Sequence, residues 1–251
     1  MTGRSDYNPR IVPRIWTVGL LLVALACAVF PFDGAIADAA AWLRQRLSGD
    51  AERELEAIQQ YGQFGSMVIV SVAFVLLQPW RARRLLDLAA ASGLTWVVTI
   101  ALKMLVGRPR PKFEDPGVIL GPWGRYLVSP EGGERHAWEF WGPISSDLWS
   151  MPSSHTAFAV MFSVFLGSLA PRLRPLLWVL AGMVGAGRVL FGGHYLSDVL
   201  AGAAVGWVCG WLVVRCSGGV RGVDWMWKRT VHRQAPGAYG RLVQAERSHG
   251  L

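Results

Sequence analysis

The run LLDLAAASGLTWVVTIALKMLV (residues 85–106), followed directly by GRPRP (residues 107–111), indicates the class of this protein. It has the apolar character and length of one helix across a bilayer, which needs about 20 mostly apolar residues. Further runs of this kind occur on both sides of it, at residues 15–32, 61–80, 154–170, 175–190 and 199–214. Together the six runs predict an all-α protein, a six-span transmembrane helical bundle.

The composition also indicates a membrane protein. Of the 251 residues, 52% are hydrophobic and 17% are charged, against about 25% charged residues in an average soluble domain. The three cysteines lie in or next to apolar runs, which excludes a disulfide framework. The 25 Lys and Arg residues outnumber the 17 Asp and Glu residues, for a net charge of +8. Proteins that bind nucleic acid share such an excess, so the positions of the charges must distinguish the two classes.

The charges follow the positive-inside rule if the N-terminus is cytoplasmic. Six spans then return the C-terminus to the cytoplasm, and the loops 33–60 and 107–151, which carry most of the acidic residues, lie outside. The arginines that fall on the cytoplasmic side before the tail are Arg4, Arg10, Arg14, Arg81, Arg83, Arg84, Arg172 and Arg174. Topology therefore explains the net charge, and we expect no nucleic-acid partner. A signal peptide cleaved near Ala35 is the less favoured alternative, because the first run is long for a signal sequence.

Three groups of polar and charged residues fall at the outer ends of the predicted spans, where ionisable side chains usually serve a function. The first group contains Lys103 and Arg110. The third helix should end near Gly107, since Pro109 disfavours helical backbone in the residue that precedes it. The second group contains Ser153, predicted as the N-cap of the fourth span, and His155 in the first helical turn. The free backbone N–H groups of that turn would point outward, where they could bind an anion.

The third group lies between spans five and six and contains Arg188, His194 and Asp198. If the sixth helix begins around His194, the carboxylate of Asp198 lies on the same face, four residues on. It then accepts a hydrogen bond from one ring nitrogen and leaves the other free as a nucleophile. Each group alone fits an interfacial lysine or a helix cap. One topology, derived from the charge bias, nevertheless brings all three groups to the same membrane surface.

The combined set of three cations, two histidines and a carboxylate suits a phosphate ester. The cations and helix N–H groups would hold the non-bridging oxygens, His194 would attack phosphorus, and His155 would protonate the departing alkoxide. This chemistry requires no metal and no other cofactor. A zinc site made from the two histidines and Asp198 is disfavoured, because the neighbouring cations oppose a divalent metal.

These residues resemble the signature of the type 2 phosphatidic acid phosphatase family, which shares its core with the vanadium haloperoxidases. Lys, six residues, then Arg-Pro matches residues 103–111, and Pro-Ser-Gly-His matches residues 152–155. Ser-Arg, five residues, His, three residues, Asp matches residues 187–198. The resemblance covers approximately residues 61–214 and implies a helical bundle with the core of that family.

The resemblance implies a role for each matched residue. His194 is expected to form a phosphohistidine, His155 to act as general acid and later to activate water, and Asp198 to orient His194. The residues expected to bind the substrate phosphate are Lys103, Arg110, Ser153, Ser154 and Arg188. Ser154 stands where the family usually has Gly, and Gly187 stands where it usually has Ser. Neither departure removes a catalytic side chain, although the second loses a hydroxyl at the phosphate site.

The chain is predicted to have three parts. Residues 1–60 form an N-terminal segment with the first span and an outer amphipathic segment, residues 61–214 the catalytic transmembrane domain, and residues 215–251 a basic cytoplasmic tail. We expect the tail beyond residue 227 to be loosely ordered. His136, in the middle of loop 107–151, is expected to be exposed.

We expect an integral membrane phosphatase of lipid phosphates or diphosphates in a bacterial-type inner membrane, with the active site on the outer (periplasmic or extracellular) face. Candidate substrates are phosphatidic acid, phosphatidylglycerol phosphate, undecaprenyl diphosphate and the phosphates of lipid A. The sequence does not choose among these lipids, nor does it predict an oligomeric state. A lipid phosphotransferase with the same site is the alternative. An anion transporter is disfavoured because the charges cluster at one face, and a haloperoxidase because the chain is embedded in a membrane.

Overall fold

The computed structural model describes residues 12–129, 133–139, 141–230 and 238–248. Within these ranges the chain is mainly helical, with one antiparallel pair of short strands. The elements are α1 (Val12–Val29), α2 (Asp33–Arg44), α3 (Gly49–Gln59), α4 (Phe64–Leu77), α5 (Leu85–Val106), β1 (Arg125–Ser129), β2 (Gly133–His136), α6 (Ser154–Leu169), α7 (Arg174–Leu190), α8 (Leu196–Cys216), α9 (Gly218–Thr230) and α10 (Ala238–Ser248). The predicted all-α class is confirmed.

Six of these helices, α1 and α4 to α8, lie on the six predicted apolar runs. Four helical stretches are long and apolar enough to cross a membrane: Ile15–Arg44, Pro79–Val106, Pro171–Leu190 and Leu196–Cys216. A fifth span results if Gly49–Gly62 and Phe64–Leu77, which meet at a bend of 68°, are counted together. Helix α6 is apolar but shorter than the others. The count of six spans therefore stays a prediction.

Helix α6 forms the centre of the bundle. It packs against α5, α7 and α8, while α1 packs along α8. Met161, Phe162 and Phe165 of α6 are buried together with Ala91 of α5. By contrast, Leu20 on α1 has 66% of its surface exposed, as expected for a residue that faces lipid.

Two glycines let the backbones of α6 and α8 touch. A Cβ atom on Gly206 would overlap the carbonyl oxygen of Ala157, and one on Gly202 would overlap that of Ser153. Small residues serve this purpose in membrane bundles, where close approach supplies the packing energy between helices. The start of α6 is therefore pressed against the first turns of α8.

The long loop (residues 107–153) connects α5 with α6 and returns to the point where it began. Gly107 ends α5 in a left-handed conformation, with φ of 59°. The N–H of Ser150 donates to the carbonyl of Arg108 at 3.0 Å, and the N–H of Arg110 donates to that of Asp147 at 3.0 Å. These bonds hold both ends of the loop at the same end of the bundle.

Two expectations about the connecting segments were wrong. His136 is buried rather than exposed, with Nδ1 3.2 Å from the Glu139 carboxylate. Residues 142–145 fold back onto this end of β2, where the N–H of His136 donates to the carbonyl of Pro143 at 3.0 Å. The tail is helical over residues 238–248, where α10 docks through an ion pair between Glu246 and Arg83, while residues 231–237 and 249–251 lie outside the described ranges. Arg83 also pairs with Asp224 of α9 at 2.8 Å.

Candidate active site

The predicted site residues gather at one end of the bundle, where α5 and α7 end and α6 and α8 begin. Backbone and side-chain bonds connect the three sequence groups there. The N–H of Ser153 donates to the carbonyl of Asp198 at 2.9 Å, and that of His194 donates to the carbonyl of Arg188 at 3.1 Å. Arg110 donates to the carbonyl of Gly193 at 3.2 Å. Residues from three segments that are distant in sequence thus form one site.

His194 is almost fully buried, with 3% of its surface exposed. Its Nδ1 lies 2.7 Å from the carbonyl oxygen of Ser150. Because a carbonyl only accepts, Nδ1 must carry the proton, which leaves the lone pair of the neutral ring on Nε2. The imidazole is therefore held in the tautomer that a nucleophile requires.

Asp198 acts on His194 less directly than its spacing predicts. Its Oδ2 atom lies 3.8 Å from His194 Nδ1, beyond hydrogen-bond distance. The reason is that α8 begins at Leu196, so His194 precedes the helix and does not share a helical face with Asp198. Instead, Oδ2 accepts from the hydroxyl of Ser150 at 2.6 Å and from the N–H of Tyr195 at 2.9 Å. Asp198 fixes the two segments that hold the imidazole.

The sequence pattern does not reveal Arg108, which is fully buried behind this site. Its guanidinium donates to Asp198 Oδ1 at 2.7 Å and to Asp33 Oδ2 at 2.8 Å. Asp33 also accepts from the N–H of Ser197 at 3.0 Å and from the Ser197 hydroxyl. The guanidinium lies over the rings of Phe30 and Tyr195, 4.5 and 4.3 Å from their centres. The one available signal was an acidic residue directly after an apolar run, which could have suggested a buried partner.

Arg188 is positioned as an anion ligand with part of its hydrogen-bonding capacity unused. Its Nη1 donates to Gln59 Oε1 at 3.2 Å, while its buried Nε has no hydrogen-bond partner within the described ranges. A Cβ atom on Gly193 would overlap Nη2, so a larger residue there would displace the guanidinium from this position. A buried donor without a partner is costly, and an anionic ligand would satisfy it.

Lys103 and Arg110 lie close enough to repel each other, and Arg110 likewise repels Arg188. Lys103 is buried, and its ammonium group donates to the carbonyl of Trp149 at 2.5 Å. Like charges held together without a matching number of carboxylates favour the binding of an anion. The carboxylate of Asp198 is already shared with Arg108.

Burial lowers the pKa of His194 to about 4. The positive charges of Lys103 and Arg188 lower it as well, whereas the carboxylate of Asp198 raises it. The imidazole of the free protein is therefore neutral at physiological pH. A neutral ring keeps the Nε2 lone pair available, which nucleophilic attack requires.

The first turn of α6 contributes Ser153, Ser154 and His155. Ser153 is the N-cap residue, as predicted, but its side chain does not cap the helix; its Oγ accepts from the Thr156 hydroxyl at 3.2 Å. Ser154 does not need the conformational freedom of a glycine, because positive φ at non-glycine residues occurs, in the described chain, at Glu114 and Ser217 alone. His155 is half-buried and lies within range of the positive charges of Arg188 and Lys103.

Gly187 lies against Gln59. A Cβ atom at this position would stand 3.1 Å from Gln59 Cγ and 3.2 Å from Cδ, tighter than an ordinary contact. The space that a serine side chain would need is filled by glutamine from α3.

The described ranges contain no group of three or more His, Cys, Asp or Glu residues that could hold a metal ion.

The fold and the site together define an all-α membrane protein with a buried polar site at one end of the bundle. Residues 84–221 match the PAP2 superfamily, and the chain belongs to this family. The family resemblance inferred from the three motifs is confirmed. Two curated relatives, the lipid A 1-phosphatases of Rhizobium etli and Rhizobium johnstonii, are 32% and 31% identical over 142 and 137 residues. These segments are 56% and 54% of this chain and 51% and 48% of the relatives, so the chain spans about half the length of the curated relatives it matches.

Two solved structures share the fold. The crystal structure of LpxE from Aquifex aeolicus has a TM-score of 0.51 at 18% identity, covering 71% of this chain and 93% of that chain. The first transmembrane PAP2-type phosphatidylglycerolphosphate phosphatase from Bacillus subtilis has a TM-score of 0.52 at 22% identity, covering 86% and 97%. The predicted fold, a helical bundle with the core of this family, is therefore confirmed.

Asp33→Asn should destabilise the protein, because it removes one of the two carboxylates around a buried guanidinium and turns an amide donor toward other donors. We expect a loss of about 3 kcal/mol, at the lower end of what breaking a buried ion pair costs. Asp38→Asn is the matched control, since Asp38 lies on the same helix and is exposed. Thermal melting in detergent measures both variants. Equal melting temperatures for the two would contradict the account of Arg108.

His194 should remain neutral between about pH 5 and pH 8, because its lowered pKa places protonation below that range. NMR of protein with ¹⁵N-labelled histidine, without substrate, measures this, and His194→Ala assigns the signal. A protonated Nδ1 and an unprotonated Nε2 are expected throughout. Titration of this signal near the ordinary histidine pKa of about 6.5 would show that the ring is not desolvated as described.

Proposed function

We propose that the protein is an integral membrane lipid phosphatase that works through a phosphohistidine and without a metal ion. The observation that carries the proposal is the state of His194: a buried, neutral ring held through Nδ1 by the Ser150 carbonyl, beside unneutralised cations. Membership in the PAP2 superfamily and the name that the two Rhizobium relatives bear support the phosphatase class.

In the first step, Lys103, Arg110 and Arg188 hold the non-bridging oxygens of the phosphate, assisted by Ser153 and a backbone N–H at Ser154. His194 Nε2 then attacks phosphorus. The new P–N bond forms as the P–O bond to the lipid breaks, and the cations stabilise the charge that develops on the oxygens.

The leaving alkoxide takes a proton from His155. The bound phosphate favours the protonated form of this ring, because a nearby negative charge stabilises an imidazolium. In the second step, neutral His155 removes a proton from water and the resulting hydroxide attacks phosphorus. The P–N bond breaks, inorganic phosphate leaves, and His194 regains its lone pair. Asp198 holds the ring through Ser150 and the Tyr195 backbone.

The proposed substrates are lipid phosphates or diphosphates: phosphatidic acid, phosphatidylglycerol phosphate, undecaprenyl diphosphate and the phosphates of lipid A. The two named relatives make lipid A the first candidate. We propose the outer face of a bacterial-type inner membrane as the location, with both termini cytoplasmic, on the basis of the basic residues at the opposite ends of the apolar runs.

We propose that the catalytic unit also includes residues on the N-terminal side of the predicted boundary at residue 61. Asp33 and Gln59 both contact site residues, so we include residues 33–60 with residues 61–214 in the catalytic unit. In the tail, α9 and α10 pack against the other end of the bundle.

A lipid phosphotransferase is the second candidate, because a lipid or sugar hydroxyl could replace water at the phosphohistidine. The chemistry up to that step is the same. The two functions differ in their product, which is inorganic phosphate for a hydrolase and a new phosphorylated lipid for a transferase.

The test is phosphate release by detergent-purified protein from a panel of the four lipid classes in the presence of EDTA. We expect release by the wild type and none above background by His194→Ala. His136→Ala is the matched control: it makes the same chemical change at another buried histidine, in the long loop, and should retain most activity.

Activity of His194→Ala, or loss of wild-type activity in EDTA, would contradict the proposal. Absence of release from every lipid, together with product formation from paired donor and acceptor lipids, would favour the phosphotransferase. Gel filtration of each variant checks that it remains folded.

A further inference from the structure

Gln59 is a buried polar residue that none of the three sequence motifs includes. It ends α3, lies before the segment that matches the family, and has 6% of its surface exposed. A side chain of this polarity is seldom buried without a specific hydrogen-bond partner. Its partner is Arg188.

The contact with Arg188 determines how the amide of Gln59 is turned. A guanidinium donates hydrogen bonds and accepts none, so the atom 3.2 Å from Arg188 Nη1 must be the carbonyl oxygen Oε1. The NH₂ group therefore lies on the other side, where Nε2 would be 3.5 Å from a Cβ atom on Gly187. The Gln59 side chain occupies the space that a larger residue at position 187 would fill.

We propose that Gln59 is a positioning residue for phosphate binding, which holds Arg188 toward the anion and takes the place of a side chain at position 187. The inference rests on the proposed function, because it assigns Arg188 to the substrate phosphate. It adds a residue from α3 to a site otherwise built from α5 to α8 and the loops that join them.

The charge state of position 59 is the critical property. Arg188 is repelled by Arg110, so a partner is needed to hold it in place. A neutral amide supplies one hydrogen bond and leaves the positive charge available to phosphate. A carboxylate there would pair with Arg188 and compete with the substrate for the same guanidinium.

Gln59→Glu tests this difference while keeping the shape of the side chain. If Gln59 did not act on Arg188, the change would leave the affinity for phosphate unaltered. If Gln59 positions Arg188 for an anion, the affinity for phosphate should fall about tenfold, the effect of one charge-assisted hydrogen bond. Gln60→Glu is the matched control, since Gln60 is the next residue and is exposed.

A second pair of variants tests whether a side chain at position 187 can replace that of Gln59. Gln59→Ala should weaken phosphate binding and leave a gap beside Gly187. Adding Gly187→Ser should restore much of the loss, because the serine side chain enters the gap and offers its hydroxyl to Arg188. Gly187→Ser alone should weaken binding, since its Cβ atom would stand 3.1 Å from Gln59 Cγ.

The measurement is the affinity for inorganic phosphate, by ³¹P NMR titration of the detergent-purified full chain, beside lipid phosphate turnover. Weaker binding by Gln59→Glu, with Gln60→Glu like the wild type, supports the role of Gln59 whether or not turnover is found. Equal affinity in all three proteins overturns it even if the wild type releases phosphate from lipids. Absence of both phosphate binding and turnover in the wild type overturns this inference and the proposed function together.

Discussion

The buried guanidinium of Arg108 imposes the strictest constraint on this fold. A charge that is fully removed from water must be paired and hydrogen-bonded, and Arg108 is paired twice, with Asp33 and with Asp198. One carboxylate comes from the helix that follows α1, and the other from the first turn of α8. The turn after the first apolar helix must therefore pack against the start of the last one. Cation–π contacts with Phe30 and Tyr195 tighten the same junction.

The candidate active site depends on this junction. Asp198 is held by Arg108, and its other oxygen fixes the Ser150 hydroxyl and the Tyr195 backbone. The backbone carbonyl of Ser150 in turn accepts a hydrogen bond from His194 Nδ1. The nucleophile that we propose is thus oriented through a chain of contacts that begins at a buried ion pair. Close packing of α6 on α8 brings the first turn of α6 to the same place, which preorganises the site before an anion arrives.

The helices, the family and the residues of its motifs could be predicted from the sequence, because apolar runs and short motifs are local signals. Two features depend on pairing between distant segments and could not be predicted. Arg108 and Asp33 are 75 residues apart, and Arg188 and Gln59 are 129 residues apart. The predicted contact of Asp198 with His194 also failed as a direct bond, since the spacing of four holds only inside a helix and α8 begins at Leu196. The burial of His136 and the docking of α10 are likewise tertiary effects.

The covalent intermediate tests the central claim most directly. Lipid substrate labelled with ³²P is mixed with the purified protein, and the reaction is stopped in alkali during turnover, because a phosphorus–nitrogen bond is unstable in acid. The account predicts label on the protein that is lost on acidification, located by mass spectrometry on the peptide that contains His194, and absent from His194→Ala. Turnover without any labelled protein, or label that persists in His194→Ala, would contradict it.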